Sequence, residues 1–323
     1  MREHSYNGRM TTTDAPEPAH ALRVRIPETG VEVGPFQHLA DERERLASLR
    51  WEHFSARLLG ATIGAELSGV RLGPDLADEV IAEIRQALLD YKVIVFRDQA
   101  HLRAEDQVAF ASRFGDLEVH PFLRSSDERP ELVRFEKSPE FGGYENSWHS
   151  DVSWREMPSL GAVLRAVEVP ASGGDTLFCD MYAAFASLDE ATQERLRGLT
   201  ATHDYSQVFG HIVPDDEKEA MREAYPEVQH PVVRTHPETG RELLYVNGVF
   251  VSRIDDLPAA GSRELLDALI SVPATPEFQC RHRWEAGDVV FWDNRATQHY
   301  AASDYWPARR VMERASIVGD RPF

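Results

Sequence analysis

From Trp51 onward, short apolar runs alternate with turn residues, and the period within each run predicts its element. FSARLLGATIGAELSGVRL (54–72) predicts two short strands separated by glycine-marked turns. In DLADEVIAEIRQALLDYK (75–92), Leu76, Val80, Ile81, Ile84, Leu88 and Leu89 make the stripe of an amphipathic helix. VIVFRD (93–98) then reads as a buried strand, and RAEDQVAFASRFG (103–115) as a second helix stopped at Gly115. Beyond it, PSLGAVLRAVEVP (158–170), TLFCD (176–180), GDVVFWDN (287–294) and RRVMERASIVG (309–319) read as strands. MYAAFASLDEATQERLRGL (181–199) and SRELLDALISVPA (262–274) read as helices, and HPVVRTHPETGRELLYVN (230–247) as a hairpin turning at Glu238-Thr239-Gly240. No internal repeat is visible. The pattern predicts a mixed, β-rich sheet or barrel of short strands with flanking helices, not an alternating βα chain or a helical bundle.

The N-terminal fifty residues break this pattern. Residues 1–20 are polar, proline-containing and aperiodic, which predicts a disordered tail. Residues 21–50 fit either a loose extension or a strand and helix laid on the domain of residues 51–323. Composition narrows the function classes. A net charge of −19 and a pI of about 5.1 lack the basic footprint that nucleic-acid binding needs. No apolar run reaches the ~20 residues of a membrane span, and no secretory leader is evident, so a cytoplasmic protein is expected. With 2 cysteines, Cys179 and Cys280, a disulfide framework is not expected; both read as small buried hydrophobes.

The chemistry begins at SWHSDVSW (147–154). Read as a strand, this run puts His149 and Asp151 on one face, so that an imidazole and a carboxylate can converge on one ion. They supply two of the three ligands of the facial triad of non-haem Fe(II) oxygenases; the third must be a distant histidine. His203, His211, His230, His236, His282 and His299 are the downstream candidates. His230 and His236 precede prolines and read as turn or surface residues, whereas His282 shares a strand face with Cys280. His299 follows a strand that ends in polar residues, and Arg310 and Arg314 come soon after it. Those arginines share parity in a strand, so both can face one interior, where guanidiniums require anions. Structural ion pairs or a pocket for carboxylates would both satisfy them.

WHSDVSW, GGDTLF and WDNRATQHYAASDYWPARRVMERASIVGDRPF together resemble the taurine dioxygenase family of Fe(II)/2-oxoglutarate-dependent oxygenases, from about Phe54 to Phe323. The resemblance implies a double-stranded β-helix, or jelly roll, with helices outside, and homodimers or homotetramers. It places His149, Asp151 and His299 on the iron ligands, and Thr176 and Arg310 on the far carboxylate of 2-oxoglutarate. His120 and Arg314 fall on the residues that hold the substrate anion, and Phe209 on an aromatic wall of the substrate pocket. Leu123, Val208, Tyr144 and Glu145 stand where the taurine enzyme has its amine-binding end, so that end is rebuilt and partly apolar. The expected substrate is therefore a small anion larger or less polar than taurine: a sulfonate, alkyl sulfate or carboxylate. VFG (208–210) and YVNGVFVSRI (245–254) also resemble members that oxidise aryloxyalkanoates.

The resemblance implies Fe(II), 2-oxoglutarate and O2 as the reacting set, with hydroxylation of a C–H bond and release of succinate and CO2. Halogenating relatives replace the carboxylate ligand with a small residue; Asp151 is present, so hydroxylation is expected. Two other readings compete: a sensor that keeps the barrel without turnover, and a zinc hydrolase on the same three ligands. The complete triad argues against the first. No separate general-base motif supports the second.

Overall fold

The computed structural model describes residues 24–27, 32–123, 125–126, 128–140 and 145–323. The tail expected at 1–20, and Tyr144, lie outside the described residues. The chain forms two compact units, 1–37 and 38–323. In the first, Val24–Arg25 pairs antiparallel with Glu32–Val33. The rest of the description concerns the second.

Its frame is two sheets. Among the described residues, the major sheet runs in the order Ser55–Leu58, Ala65–Ser68, Val93–Phe96, Val289–Asp293, Ser159–Glu168, Arg310–Val318, Arg129–Lys137, Ser125–Ser126. All its pairings are antiparallel except that of Ala65–Ser68 with Val93–Phe96. The minor sheet is Gln279–His282, Thr176–Asp180 and Thr297–Ala301. Strands covered on both faces need no polar alternation, and VVFWD is buried at every position. On one face of the major sheet, Phe291, Ala315 and Ile317 meet Ile84, Leu88 and Phe110 of the helices Asp78–Tyr91 and Ala104–Ala111. On the other, Val290, Trp292 and Met312 meet Phe178 and Cys280 of the minor sheet. This two-sheet sandwich with helices outside is the expected jelly roll. Both cysteines are free and buried.

Several sequence readings need revision. The predicted helix 181–199 is two helices, Met181–Ala186 and Glu190–Arg197, because Asp189 caps the second by accepting from Thr192 N at 2.9 Å. SWHSDVSW is not a strand. Only His149 pairs, in an isolated antiparallel bridge with His299, and residues 151–154 form a turn. Asn294 explains the break: its side chain accepts from Asp151 N at 2.7 Å and donates to Asp151 O at 3.0 Å, using the backbone groups a strand would need. Val152 sits at φ 45°, a strained conformation for a β-branched residue. His230 and His236 are both buried, not at the surface. His236 faces inward because Nδ1 accepts from Glu238 N and Thr239 N, closing the turn, while Nε2 lies 3.1 Å from Asp293 Oδ2.

Charge is also used in the interior. Lys92 ends the helix Asp78–Tyr91 in the left-handed region (φ 63°), and its side chain is fully buried. Nζ donates to Thr62 O at 2.6 Å and lies 2.9 Å from Glu42 Oε1 and 3.2 Å from Asp180 Oδ2. Burial opposes ionisation of Glu42, but Arg45, Lys92 and Arg241 outweigh it and hold the carboxyl well below the usual range. One ammonium thus ties the helix Ala40–Ser48, which carries Glu42 and buries Leu46, to Asp180, the cap of Met181–Ala186. Lys92→Met should strand the buried Asp180 charge and lower the unfolding free energy by about 3–5 kcal/mol. Urea denaturation measures this; a loss under 1 kcal/mol would mean the ammonium is not needed.

Candidate metal centre

Two backbone hydrogen bonds build the centre: His149 N to His299 O at 3.1 Å, and His299 N to His149 O at 2.8 Å. They bring the imidazoles together, with centroids 4.2 Å apart. The turn after His149 then folds Asp151 back toward both rings. Its Oδ1 lies 3.7 Å from His149 Nε2 and 3.9 Å from His299 Nε2. Ligand atoms of all three residues fall within 4.8 Å of one another, and no other such group of His, Cys, Asp or Glu occurs among the described residues. Convergence therefore comes from a bridge and a turn, not from i and i+2 on one strand.

The donors suit a divalent cation such as ferrous iron. His149 Nδ1 lies 2.8 Å from Ser147 O, which holds the proton there and leaves the Nε2 lone pair facing the centre. Burial, with His149 and Arg314 nearby, pushes the pKa of His299 down to about 3, so its ring is neutral at pH 7. Burial works against ionisation of Asp151, but Arg314, His299 and His149 hold it at about 2. A buried carboxylate beside two imidazoles is the mixed nitrogen and oxygen set of the facial triad.

A cleft opens beside the triad, and its floor is the shared parity of one strand: Arg310, Met312 and Arg314 all line it. Thr176, Glu145 and Tyr305 line it as well. Arg310 is buried, and its Nε and Nη2 have no hydrogen-bond partner. Burial pushes its pKa below the ordinary value, the mark of a desolvated cation. Gly174, at φ 72°, lets the chain pass close: a Cβ there would stand 3.3 Å from Arg310 Cδ. Thr176 Oγ1 accepts from Trp284 Nε1 at 2.9 Å, so its own hydroxyl hydrogen is free to donate. Glu145 is ion-paired with Lys137 at 2.8 Å on this cleft. It does not join His120 and Phe209.

Those two belong to another wall. Phe122 stacks on Phe209 (centroids 4.8 Å) and Tyr205 (5.2 Å). Phe209 continues to Phe250 (6.3 Å), which reaches the ring of His149 (6.5 Å). Val208 packs into the same cluster. His120 lies 5.6 Å from Phe209, and its Nδ1 accepts from the backbone N–H groups of Phe122 and Leu123, both at 3.1 Å. Burial, then Arg314 and Arg155, push its pKa down to about 3. The ring is neutral with its hydrogen on Nε2, a donor. Arg314 stands between triad and cleft: Nη1 donates to Asp151 Oδ2 at 2.8 Å, and the buried Nε has no partner.

The residue pattern alone singles out neither Asn294 nor Trp284, because their roles are set by contacts far along the chain. It also passes over the pairing of Arg314 with Asp151, which parity alone does not reveal.

The chain matches the family model described as "Taurine catabolism dioxygenase TauD, TfdA family" over residues 55–316. It is 39% identical to an alpha-ketoglutarate-dependent sulfate ester dioxygenase of Pseudomonas putida, over 80% of this chain and 88% of that one. It is 34% identical to an alkylsulfatase of Acinetobacter baylyi, covering 83% and 86%. Among solved structures, a taurine dioxygenase from Burkholderia xenovorans aligns with a TM-score of 0.73 at 34% identity, covering 84% of this chain and 93% of that one.

Mn(II) at a hundredfold its dissociation constant should raise the unfolding free energy by about 2.7 kcal/mol. His299→Ala should lose this gain. Denaturation with and without the ion measures it, and an equal gain in the variant would place the metal elsewhere.

Proposed function

The chain belongs to the taurine catabolism dioxygenase TauD, TfdA family, and from that premise we propose that its substrate is an alkyl sulfate, hydroxylated on the carbon that carries the ester oxygen. The chain is a 2-oxoglutarate-dependent non-haem iron dioxygenase. His149, Asp151 and His299 would hold the iron. When bound, iron with 2-oxoglutarate and O2 supplies C–H hydroxylation, one oxygen atom going to the substrate and the other to succinate as CO2 leaves.

The protein's part is binding, orientation and charge placement. Arg310 takes the far carboxylate of 2-oxoglutarate, replacing the partner it lacks, and the Thr176 hydroxyl donates to the same group. His120 Nε2–H and the spare donor of Arg314 orient the substrate anion, with Leu123 and Val208 beside them. The stacked rings of Phe122, Phe209 and Phe250 cover the organic part and keep water out. Hydroxylation of R–CH2–O–SO3⁻ gives R–CH(OH)–O–SO3⁻. Its C–O bond breaks as the hydroxyl loses its proton, leaving an aldehyde and hydrogen sulfate.

One observation carries the substrate class: a neutral histidine donor and a partly occupied arginine beside an aromatic wall suit an anionic head on an apolar tail. The sulfate ester dioxygenase and alkylsulfatase relatives support the same reading. An oxygen-consumption screen of linear alkyl sulfates, alkyl sulfonates and phenoxypropionates, with mass detection of products, tests it. Alkyl sulfates are expected to be turned over fastest, with aldehyde and sulfate released together; preferred turnover of phenoxypropionate would replace this reading with an aryloxyalkanoate oxygenase. Arg310→Met should raise the KM for 2-oxoglutarate about ten- to hundredfold, as loss of a charge-assisted hydrogen bond dictates. The KM for alkyl sulfate should change less than about threefold, because Arg310 faces the co-substrate. Steady-state rates varying each compound separately would expose the reverse assignment.

A further inference from the structure

The two oxygens of Asp151 are divided between two tasks. Oδ1 faces the imidazoles, 3.7 and 3.9 Å from their Nε2 atoms, and Oδ2 accepts from Arg314 Nη1 at 2.8 Å. We propose that Arg314 is a positioning residue for the metal centre: by occupying Oδ2 it restricts Asp151 to ligation through Oδ1 alone, which keeps three coordination positions open. The inference rests on the triad being the iron site; it does not depend on the substrate class.

Both partners are held independently. Asn294 fixes the backbone of Asp151 on either side of its Cα, through N and O. Arg314 lies in mid-strand, in register with Val133 on one side and Leu164 on the other. Its guanidinium lies over the ring of Phe135, 4.9 Å from the centroid. Both side chains are buried, 8% and 9% exposed, so loss of either partner leaves a charge largely out of water. Rotation of the carboxylate to offer both oxygens to an ion would leave the arginine charge buried with no hydrogen-bonded carboxylate.

The count of coordination positions gives this contact its consequence. Two imidazole nitrogens and one oxygen leave three places on a six-coordinate ion. 2-Oxoglutarate chelates through two atoms and O2 needs one. A carboxylate bound through both oxygens would take a fourth place and block either the co-substrate or O2. Arginine suits the position because its planar fork holds one oxygen in a fixed direction while other donors stay available.

The test uses Mn(II), which fills such sites without reacting. In a crystal structure of the Mn(II) form, Asp151 is expected to bind through Oδ1 alone, with Oδ2 still on Arg314. Mn(II) bonded to both oxygens in the wild type overturns the proposal, and this arm decides even if the variants do not fold. In Arg314→Gln, Asp151 is expected to bind through both oxygens. Calorimetry should then find Mn(II) affinity undiminished but 2-oxoglutarate affinity of the Mn(II) form reduced at least about tenfold, with Arg314→Lys recovering part of it. One-oxygen ligation and unchanged 2-oxoglutarate affinity in Arg314→Gln would overturn it. Failure of the wild type to bind one Mn(II) at the triad would sink the metal site and this inference together, whereas failure of alkyl sulfates as substrates would leave it standing.

Discussion

A pair of backbone hydrogen bonds between His149 and His299 is the contact on which the candidate metal centre depends. It joins two segments that share no other strand pairing. Everything else at the centre is arranged around it. Thr297–Ala301 is placed by its ladder with Thr176–Asp180, so His299 arrives on a fixed element. The segment carrying His149 is held by the bridge, by the Asn294 clamp and the Arg314 pair on Asp151, and by Ser150 Oγ donating to Thr297 O. A strand thus supplies one candidate ligand, the bridged segment a second, and the short, strained turn after it the third. The strain at Val152 is held by these surrounding bonds, as sites of this kind require.

Electrostatics in the interior follows a division of labour. Lys92, Arg295 and Arg234 are buried with carboxylates at 2.6–3.2 Å and bind parts of the fold together. Arg314 is buried with one carboxylate and a spare donor, while Arg310 is buried with no carboxylate partner among the described residues. Unmet hydrogen-bonding capacity on a cation that also lines the cleft sets Arg310 and Arg314 apart from the structural arginines.

The sequence made some of this legible. Apolar period located the helices Asp78–Tyr91 and Ala104–Ala111 and the central strands, because burial on one or two faces writes itself into residue order. Strand parity put Arg310 and Arg314 in one interior, which the cleft lining bears out. Other features were hidden. Arg129–Lys137 pairs along Arg310–Val318, yet Arg134 and Glu136 on its outer face mask its period. The turn at Asp151 depends on an asparagine close to the other ligand strand. His236 looked like a turn residue and is one, but it closes its turn from inside the protein. Local pattern reports burial and parity well. It cannot report which distant side chain consumes a backbone group.

The unpaired Arg310 also bears on how long the folded chain survives. Burial of its guanidinium, with Nε and Nη2 unpartnered, costs folding free energy, and a dicarboxylate settling there as proposed would offset that cost. On the proposed assignment, occupancy by the co-substrate would shift the balance between folded and unfolded chains as well as the rate of turnover. A chain loaded in this way would resist local opening around the cleft, so the ligand that feeds the proposed reaction would also serve as a brace for the fold.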